Sequence, residues 1–75
     1  MQYVVDTAEI KKLMIDRNIS TIAELSSISG INRNTLGAVI NGEAYPSSKI
    51  IGKLIEVLLI PLDRVGSIFF ALKLT

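Results

Sequence analysis

Residues 21–42 carry the sequence TIAELSSISGINRNTLGAVING. Within this stretch, Thr21 and Glu24 fit a capping box, in which side chains close the first turn of a helix, and Ser20 is a competing cap. Gly30 follows a short apolar pattern. Glycine is the residue type that a tight turn favours, because it takes a positive φ without penalty. We therefore expect a short helix that ends in a glycine turn.

A second helix is expected after that turn. Asn32 is a preferred N-cap, and Asn41 with Gly42 is typical of a helix end. Four apolar residues are spaced to fill the angle between the two helices: Leu25, Ile31, Leu36 and Val39. Two short helices that cross steeply at such a turn form a helix-turn-helix. The alternative is a generic helical bundle in which the glycine turn is accidental.

The second helix of this motif carries side chains that suit DNA. Its N-terminal half is expected to face outward and to fit the major groove of B-DNA. Arg33 is suited to a guanine edge and Asn34 to an adenine edge, while Gly37 and Ala38 are small enough for close approach. We predict these four as base-reading residues. Arg33 is the only ionisable side chain in residues 25–42, which suits a phosphate-facing surface.

Caps and apolar spacing extend the prediction over the whole chain. Helices are expected at about 7–17, 21–28, 32–41, 48–59 and 61–66, and strands at about 2–5 and 68–73. Asp6 and Glu9 form the capping box of the first helix. In the second strand, Ile68, Phe70 and Leu72 would share one face. Because an isolated two-stranded ribbon is marginal, we expect the strands to pair and to pack on the helices. The predicted fold class is all-α, with about five short helices and this small terminal ribbon.

The composition excludes several kinds of protein. The chain has 75 residues, which is room for one small domain over residues 1–75. It contains no Cys and no His, so disulfides and thiolate metal sites are excluded and the commonest general base is missing. We therefore expect no enzyme activity, no cofactor or metal and no small-molecule substrate. The net charge of +1 argues neither for nor against nucleic acid.

The apolar content is high for so short a chain, at 49% of residues with a mean hydropathy of +0.49. No run reaches the ~18 apolar residues of a membrane span, and the N-terminus lacks the basic start of a signal peptide. We expect a cytoplasmic protein with no membrane partner. Part of the apolar excess is expected to form an interface with a partner; the alternative is a tightly packed monomer core. The predicted interface residues are Ile51, Ile55, Leu58, Leu59, Phe69 and Phe70.

The run NRNTLGAVING at residues 32–42, with Gly30 before it, resembles the recognition helix and turn of the Cro and phage-repressor family (XRE type). The resemblance extends over residues 7–65. It implies a lambda-repressor-like bundle in which Arg33 and Asn34 contact bases. The positions that it implies for contacts with the DNA backbone are Thr21, Asn32, Thr35, Asn41 and, in the following loop, Tyr45.

The same resemblance implies a phage-type transcriptional regulator that binds operator DNA as a homodimer, as in a lysis/lysogeny-type switch in a bacterial host cell. The ending SIFFALKLT is similar to the tail of short regulators from phages and prophages of Gram-positive bacteria. Two departures weaken the case for strong DNA binding: Ile22 stands where the family often has Gln, and Glu43 where a basic residue would help.

These departures keep other functions open. The main alternative is a modulator of repression or antirepressor, which forms a hetero-complex with a companion phage repressor and binds DNA weakly or not at all alone. An antitoxin is a further alternative on the same fold. In either case Arg33 and Asn34 would be part of an ordinary solvated helix face.

Overall fold

Five α-helices and a small β-ribbon form the computed structural model, which describes residues 2–73. The helices are α1 (Thr7–Asp16), α2 (Ile22–Ser29), α3 (Arg33–Ile40), α4 (Ser48–Leu58) and α5 (Val65–Phe69), and the strands are β1 (Tyr3–Val4) and β2 (Ala71–Leu72). A 3-10 turn, Leu62–Arg64, runs directly into α5. The predicted fold class, mostly helical with a terminal ribbon, is confirmed.

Each of the first four helices begins at a residue whose side chain caps it. The capping residues are Asp6, Thr21, Asn32 and Ser47. Thr21 rather than Ser20 caps α2. Its Oγ1 accepts from the backbone N–H of Glu24 at 3.0 Å, whereas the Ser20 hydroxyl donates to the Glu24 carboxylate at 2.7 Å. Since a cap of this kind stabilises a helix by roughly 1 kcal/mol, the local sequence determines where α1 to α4 start.

Residues with left-handed backbone follow the first four helices. They are Asn18 (φ 59°), Gly30 (φ 75°), Gly42 (φ 77°) and Leu59 (φ 52°). After α3, the N–H of Gly42 donates to the Val39 carbonyl at 3.1 Å, and the N–H of Glu43 donates to the Ala38 carbonyl at 2.8 Å. This pair of bonds is a Schellman motif. It fixes the direction in which the chain leaves α3.

One cluster of buried apolar side chains joins all five helices. Its members are Ile10, Met14, Ile19, Leu25, Ile31, Leu36, Ile40, Ile51, Leu54, Leu58, Ile60, Ile68 and Phe69. Leu25, Ile31, Leu36 and Val39 are all buried, as predicted for the angle of the helix-turn-helix. Most of the apolar excess in the sequence is therefore used inside the domain.

Half of the predicted partner interface belongs to this core. The predicted interface residues that are buried in the core are Ile51, Leu58 and Phe69, which are 8%, 1% and 0% exposed. The prediction that they face a partner is wrong, because α4 packs against α2 and the following segment returns over the same core. Leu59 and Phe70 are exposed at 61% and 44%, and Ile55 is half-buried.

The two ends of the described chain pair as a short antiparallel ribbon. Tyr3 lies opposite Leu72 in this ribbon. Backbone hydrogen bonds anchor it on both sides: the N–H of Asp6 donates to the Ile68 carbonyl at 2.8 Å, and the N–H of Lys73 donates to the Gln2 carbonyl at 2.9 Å. The ribbon therefore closes against α5 rather than standing free, as its small size requires.

The predicted bounds of the last helix and last strand are wrong. The helix expected at 61–66 continues to Phe69, and the strand expected at 68–73 is reduced to β2. Ile68 and Phe69 are both buried, although neighbours in a strand point to opposite faces. In a helix, both of these side chains can point toward the core. Ile68 and Phe70 therefore do not share the one face that was predicted for a strand.

Candidate nucleic-acid interface

Two serines hold the turn between α2 and α3. Ser26 Oγ donates to the Ile31 carbonyl and Ser29 Oγ to the Leu25 carbonyl, each at 2.6 Å. Ser29 Oγ also accepts from the N–H of Ile31 at 3.2 Å. Together with the positive φ of Gly30, these bonds fix the angle at which α3 leaves α2. The bonds of Ser26 and Ser29 to the backbone of Ile31 cross the turn, so serines at these positions gave no such signal in the sequence.

One stripe of α3 is open to a ligand. Arg33 and Gly37 are one turn apart, as are Asn34 and Ala38, and Asn41 follows at the C-terminal end. Residues three or four apart share a helix face, so these positions lie side by side. Arg33, Asn34 and Asn41 are exposed, whereas Gly37 and Ala38 are half-buried. The structure thus brings together the predicted base-reading residues and one predicted backbone contact.

This stripe lines a shallow depression of about 320 Å³, which we call the α3 depression. Ile22, from the first turn of α2, and Glu43, from the loop after α3, complete its lining. Within residues 2–73, the side chains of Arg33, Asn34 and Asn41 make no hydrogen bond to the protein. Their donors and acceptors are therefore left for a ligand.

Ile22 and Glu43 line the depression although the sequence did not predict them as contact residues. A Cβ placed on Gly37 would lie 4.0 Å from Ile22 Cδ1, which is ordinary van der Waals distance. The two residues therefore face each other across the junction of α2 and α3. The sequence showed Ile22 only as a departure from the family pattern. Its contact with Gly37 depends on the crossing of two helices and has no local signal.

Two of the predicted backbone-contact residues cap helices. Asn32 Oδ1 accepts from the N–H groups of Asn34 and Thr35 at 2.9 and 3.3 Å, so its side-chain NH₂ group is what remains to donate to a phosphate. Thr21 Oγ1 is likewise occupied as an acceptor from Glu24. Thr35 is exposed in the first turn of α3 but does not line the α3 depression.

Tyr45 lies apart from these residues, against the terminal ribbon. Its hydroxyl donates to the Phe69 carbonyl, and its ring centroid is 6.4 Å from that of Tyr3. Burial, and secondarily the nearby Tyr3, raise the pKa of Tyr45. The structure does not bring Tyr45 into the α3 depression, because the loop after Gly42 turns toward the ribbon.

Charged groups of both signs surround the helix-turn-helix. Lys53 Nζ is 3.9 Å from the point where a Cβ on Gly30 would stand, which places its ammonium over the turn. Glu43 adds a carboxylate to the α3 depression. Within residues 2–73, one ion pair forms, between Arg64 and Glu9 at 2.6 Å. Neither Arg33 nor Glu43 is therefore neutralised by a partner in this part of the chain.

Comparison with known families supports this geometry. Residues 9–62, which include α2, α3 and the turn between them, match the Cro/C1-type HTH DNA-binding domain. The chain belongs to this family. No curated protein and no solved structure shows a significant match to it. This Cro/C1-type domain is therefore a DNA-binding domain of the kind found in transcriptional regulators, a class that is typically not enzymatic.

Residues 2–73 lack two features that other functions would require. No helix in this part of the chain is long and apolar enough to cross a membrane. The same residues contain no cluster of His, Cys, Asp or Glu side chains that could hold a metal ion.

Proposed function

We propose that this Cro/C1-type domain is a phage-type transcriptional regulator that inserts α3 into the major groove of an operator. The observation that carries the proposal is the exposed stripe of α3. It presents a guanidinium, two amides and two small residues in one depression, and the side chains of residues 2–73 form no hydrogen bond with those polar groups. A major-groove reader needs this combination, since base edges are recognised by bidentate donors and acceptors at close approach.

Each residue of the stripe has a specific part in this proposal. Arg33, at the start of α3, donates two of its five guanidinium N–H groups to the N7 and O6 of a guanine. Asn34 pairs with the N6 and N7 of an adenine. The side-chain NH₂ groups of Asn32 and Asn41 donate to phosphates and set the register of α3 on the duplex. Thr35 adds a hydroxyl contact to the same backbone, whereas the Thr21 hydroxyl would have to leave the Glu24 carboxylate, 3.5 Å away, to do so.

The size of the domain supports binding as a homodimer. Its longest dimension is 33 Å, and the half-sites of a helix-turn-helix dimer lie about 34 Å apart. One copy therefore covers one half-site. Leu59, Leu62 and Phe70 are large apolar side chains that remain exposed, at 61%, 81% and 44%, and are available for contact between two copies.

The lysis/lysogeny role in a bacterial host rests on the likeness of residues 32–42 and of the chain ending to short phage and prophage regulators. The second candidate is a modulator of repression or antirepressor that binds a companion repressor. Glu43 favours it, because a carboxylate in the α3 depression repels phosphate. Ile22 favours it too, because an apolar side chain replaces a polar group at the DNA-facing end of α2.

Fluorescence anisotropy with DNA separates the two candidates. The folded chain would first select its preferred sites from a random duplex library, and Kd would then be measured at low and at physiological salt. Arg33→Ala is expected to weaken binding to the selected site by about 1–3 kcal/mol, while Arg17→Ala, an exposed arginine outside the depression, leaves Kd unchanged. A folded protein that binds no DNA at low salt would contradict direct operator binding and favour the companion-repressor role.

A further inference from the structure

Ile22 gives the α3 depression an apolar wall among polar groups. It is half-buried at the start of α2 and shares the depression with Arg33, Asn34, Gly37 and Ala38. Its Cδ1 lies at van der Waals distance from the position of a Gly37 Cβ. Ile22, Gly37 and Ala38 line the same shallow depression, and Gly37 contributes no side chain to it.

The chemistry of this space matches one feature of the major groove. Thymine presents a 5-methyl group beside its O4 acceptor, and apolar side chains are the groups that contact this methyl. A single A·T pair therefore presents an adenine edge to Asn34 and a thymine methyl group to Ile22. Neither a G·C nor a C·G pair presents both groups.

We propose that Ile22, with Gly37 and Ala38, is a specificity-determining site that binds the 5-methyl group of a thymine next to the base contacted by Arg33 or Asn34. The proposal rests on the proposed function, since it assumes that α3 enters the major groove. It assigns a part in base selection to Ile22, the residue that stands where the family often has Gln.

The expected size of the effect is that of one buried methyl group. Burial of a methyl-sized group is worth about 0.8 kcal/mol, which corresponds to about fourfold in Kd at 1.4 kcal/mol per tenfold. A symmetric operator with two half-sites doubles this free energy, which gives about fifteenfold. Anisotropy measurements resolve both values.

A substitution at Gly37 provides a second, independent test. Alanine at this position would place its methyl group at an ordinary 4.0 Å from Ile22 and would improve the helix propensity of α3. The same methyl group would occupy the space proposed for thymine. Gly37→Ala is therefore expected to raise the melting temperature and to lose the preference for thymine. A purely structural role of this position would not produce both results.

The test uses the full chain and the operator site that it selects. Each thymine of the half-site is replaced in turn by deoxyuridine, which removes the 5-methyl group alone. Kd is measured for the wild type, Ile22→Gln, Gly37→Ala and Ile28→Gln. Ile28 is a matched control on α2, since it is 60% exposed and does not line the α3 depression. Thermal unfolding of each variant establishes that it is folded.

At one thymine, deoxyuridine is expected to weaken the wild type and Ile28→Gln by about fourfold. Ile22→Gln and Gly37→Ala are expected to bind the two duplexes with Kd values less than twofold apart. The inference is overturned if the selected site contains no thymine, or if the deoxyuridine penalty is absent or equal in all four proteins. Loss of the Arg33 effect, or of all DNA binding, would overturn the proposed function together with it. A normal Arg33 effect without methyl dependence would remove only this inference.

Discussion

The loop that follows α3 separates two concave surfaces of different character. On one side lies the α3 depression, where Arg33 and Asn34 have no internal hydrogen-bond partner within the described chain. On the other side lies a cavity of about 440 Å³ next to the terminal ribbon. There Tyr45 donates to the Phe69 carbonyl, and the Tyr3 ring stands edge-on to Phe70 at 5.4 Å.

The polar groups on the two sides of this loop have different uses in this small domain. Beside the ribbon they are used to join the two ends of the chain to the loop, and so they contribute to stability. In the α3 depression, the side chains of Arg33, Asn34 and Asn41 have no hydrogen-bond partner within residues 2–73, and we propose that they contribute to binding. Glu43 lies between the two surfaces and lines both of them, whereas Tyr45, two residues later, lines the cavity beside the ribbon and donates its hydroxyl to the Phe69 carbonyl. Mutations on the two sides should therefore change different quantities.

The largest expected effect is on the ribbon side, at Phe69. Phe69→Ala removes a fully buried ring at the junction of α5 and the ribbon and is expected to lower the free energy of unfolding by about 3–5 kcal/mol. Phe70→Ala, next to it but 44% exposed, is expected to cost clearly less. Chemical denaturation measures both. Equal costs for the two variants would contradict the placement of Phe69 in the core.

In the α3 depression, the largest effect is expected for Arg33→Ala. We expect a loss of about 1–3 kcal/mol in binding to the selected operator and a change in the free energy of unfolding within about 0.5 kcal/mol. The side chain is exposed and forms no ion pair within residues 2–73, so its removal leaves no buried group unpaired. A large loss of stability would show that Arg33 is structural.

Tyr45→Phe tests whether this tyrosine belongs to the ribbon or to the DNA interface. Loss of its hydrogen bond to the Phe69 carbonyl is expected to cost about 0.5–1.5 kcal/mol of stability, with no change in Kd for DNA. Tyr3→Phe serves as the control for loss of a neighbouring phenol. If Tyr45→Phe instead weakens DNA binding and leaves stability unchanged, Tyr45 is a backbone contact.

The raised pKa of Tyr45 adds a pH dependence to this prediction. Burial, and then the proximity of Tyr3, favour the neutral phenol in the folded state. The folded pKa therefore lies above the unfolded value, and the resulting stabilisation is present below the unfolded pKa of about 10. It is lost as the pH rises through the raised folded value. Denaturation of the wild type and Tyr45→Phe between neutral and strongly alkaline pH should show their stabilities converge.

The smallest expected effect is at Glu43. Glu43→Gln removes a carboxylate that faces phosphate, so DNA binding is expected to strengthen by at most about 1 kcal/mol at low salt and by less as the salt concentration rises. Glu56→Gln is a matched control, since Glu56 is exposed on α4 and outside the depression. Weaker binding by Glu43→Gln would indicate that Glu43 instead accepts from the N4 amino group of a cytosine.

The sequence predicted best what short-range chemistry determines. The caps at Asp6, Thr21 and Asn32 and the turns at Gly30 and Gly42 each depend on residues within a few positions of one another. The helices α1 to α4 therefore have nearly the expected bounds. The common face of Arg33, Asn34, Gly37 and Ala38 followed from helical spacing alone.

The sequence failed where distant segments decide the structure. Ile68 and Phe69 are residue types that favour a strand, but both side chains are buried in the core that the other helices form. Two consecutive residues can both face the core at the end of a helix, whereas in a strand they would point to opposite faces. The broad apolar set of α4 could not be divided into core and surface without knowledge of its neighbours. For the same reason the contact between Ile22 and Gly37, which joins two helices, had no signal in the sequence.

We propose that the α3 depression, and not the ribbon side of the loop, contacts DNA. A titration of the ¹⁵N-labelled chain with its selected operator duplex, followed by amide chemical shifts, distinguishes the two surfaces. We expect the largest shifts at Arg33, Asn34, Gly37 and Asn41 and unchanged signals at Tyr3 and Tyr45. Shifts centred on Tyr3 and Tyr45, with α3 unaffected, would contradict it.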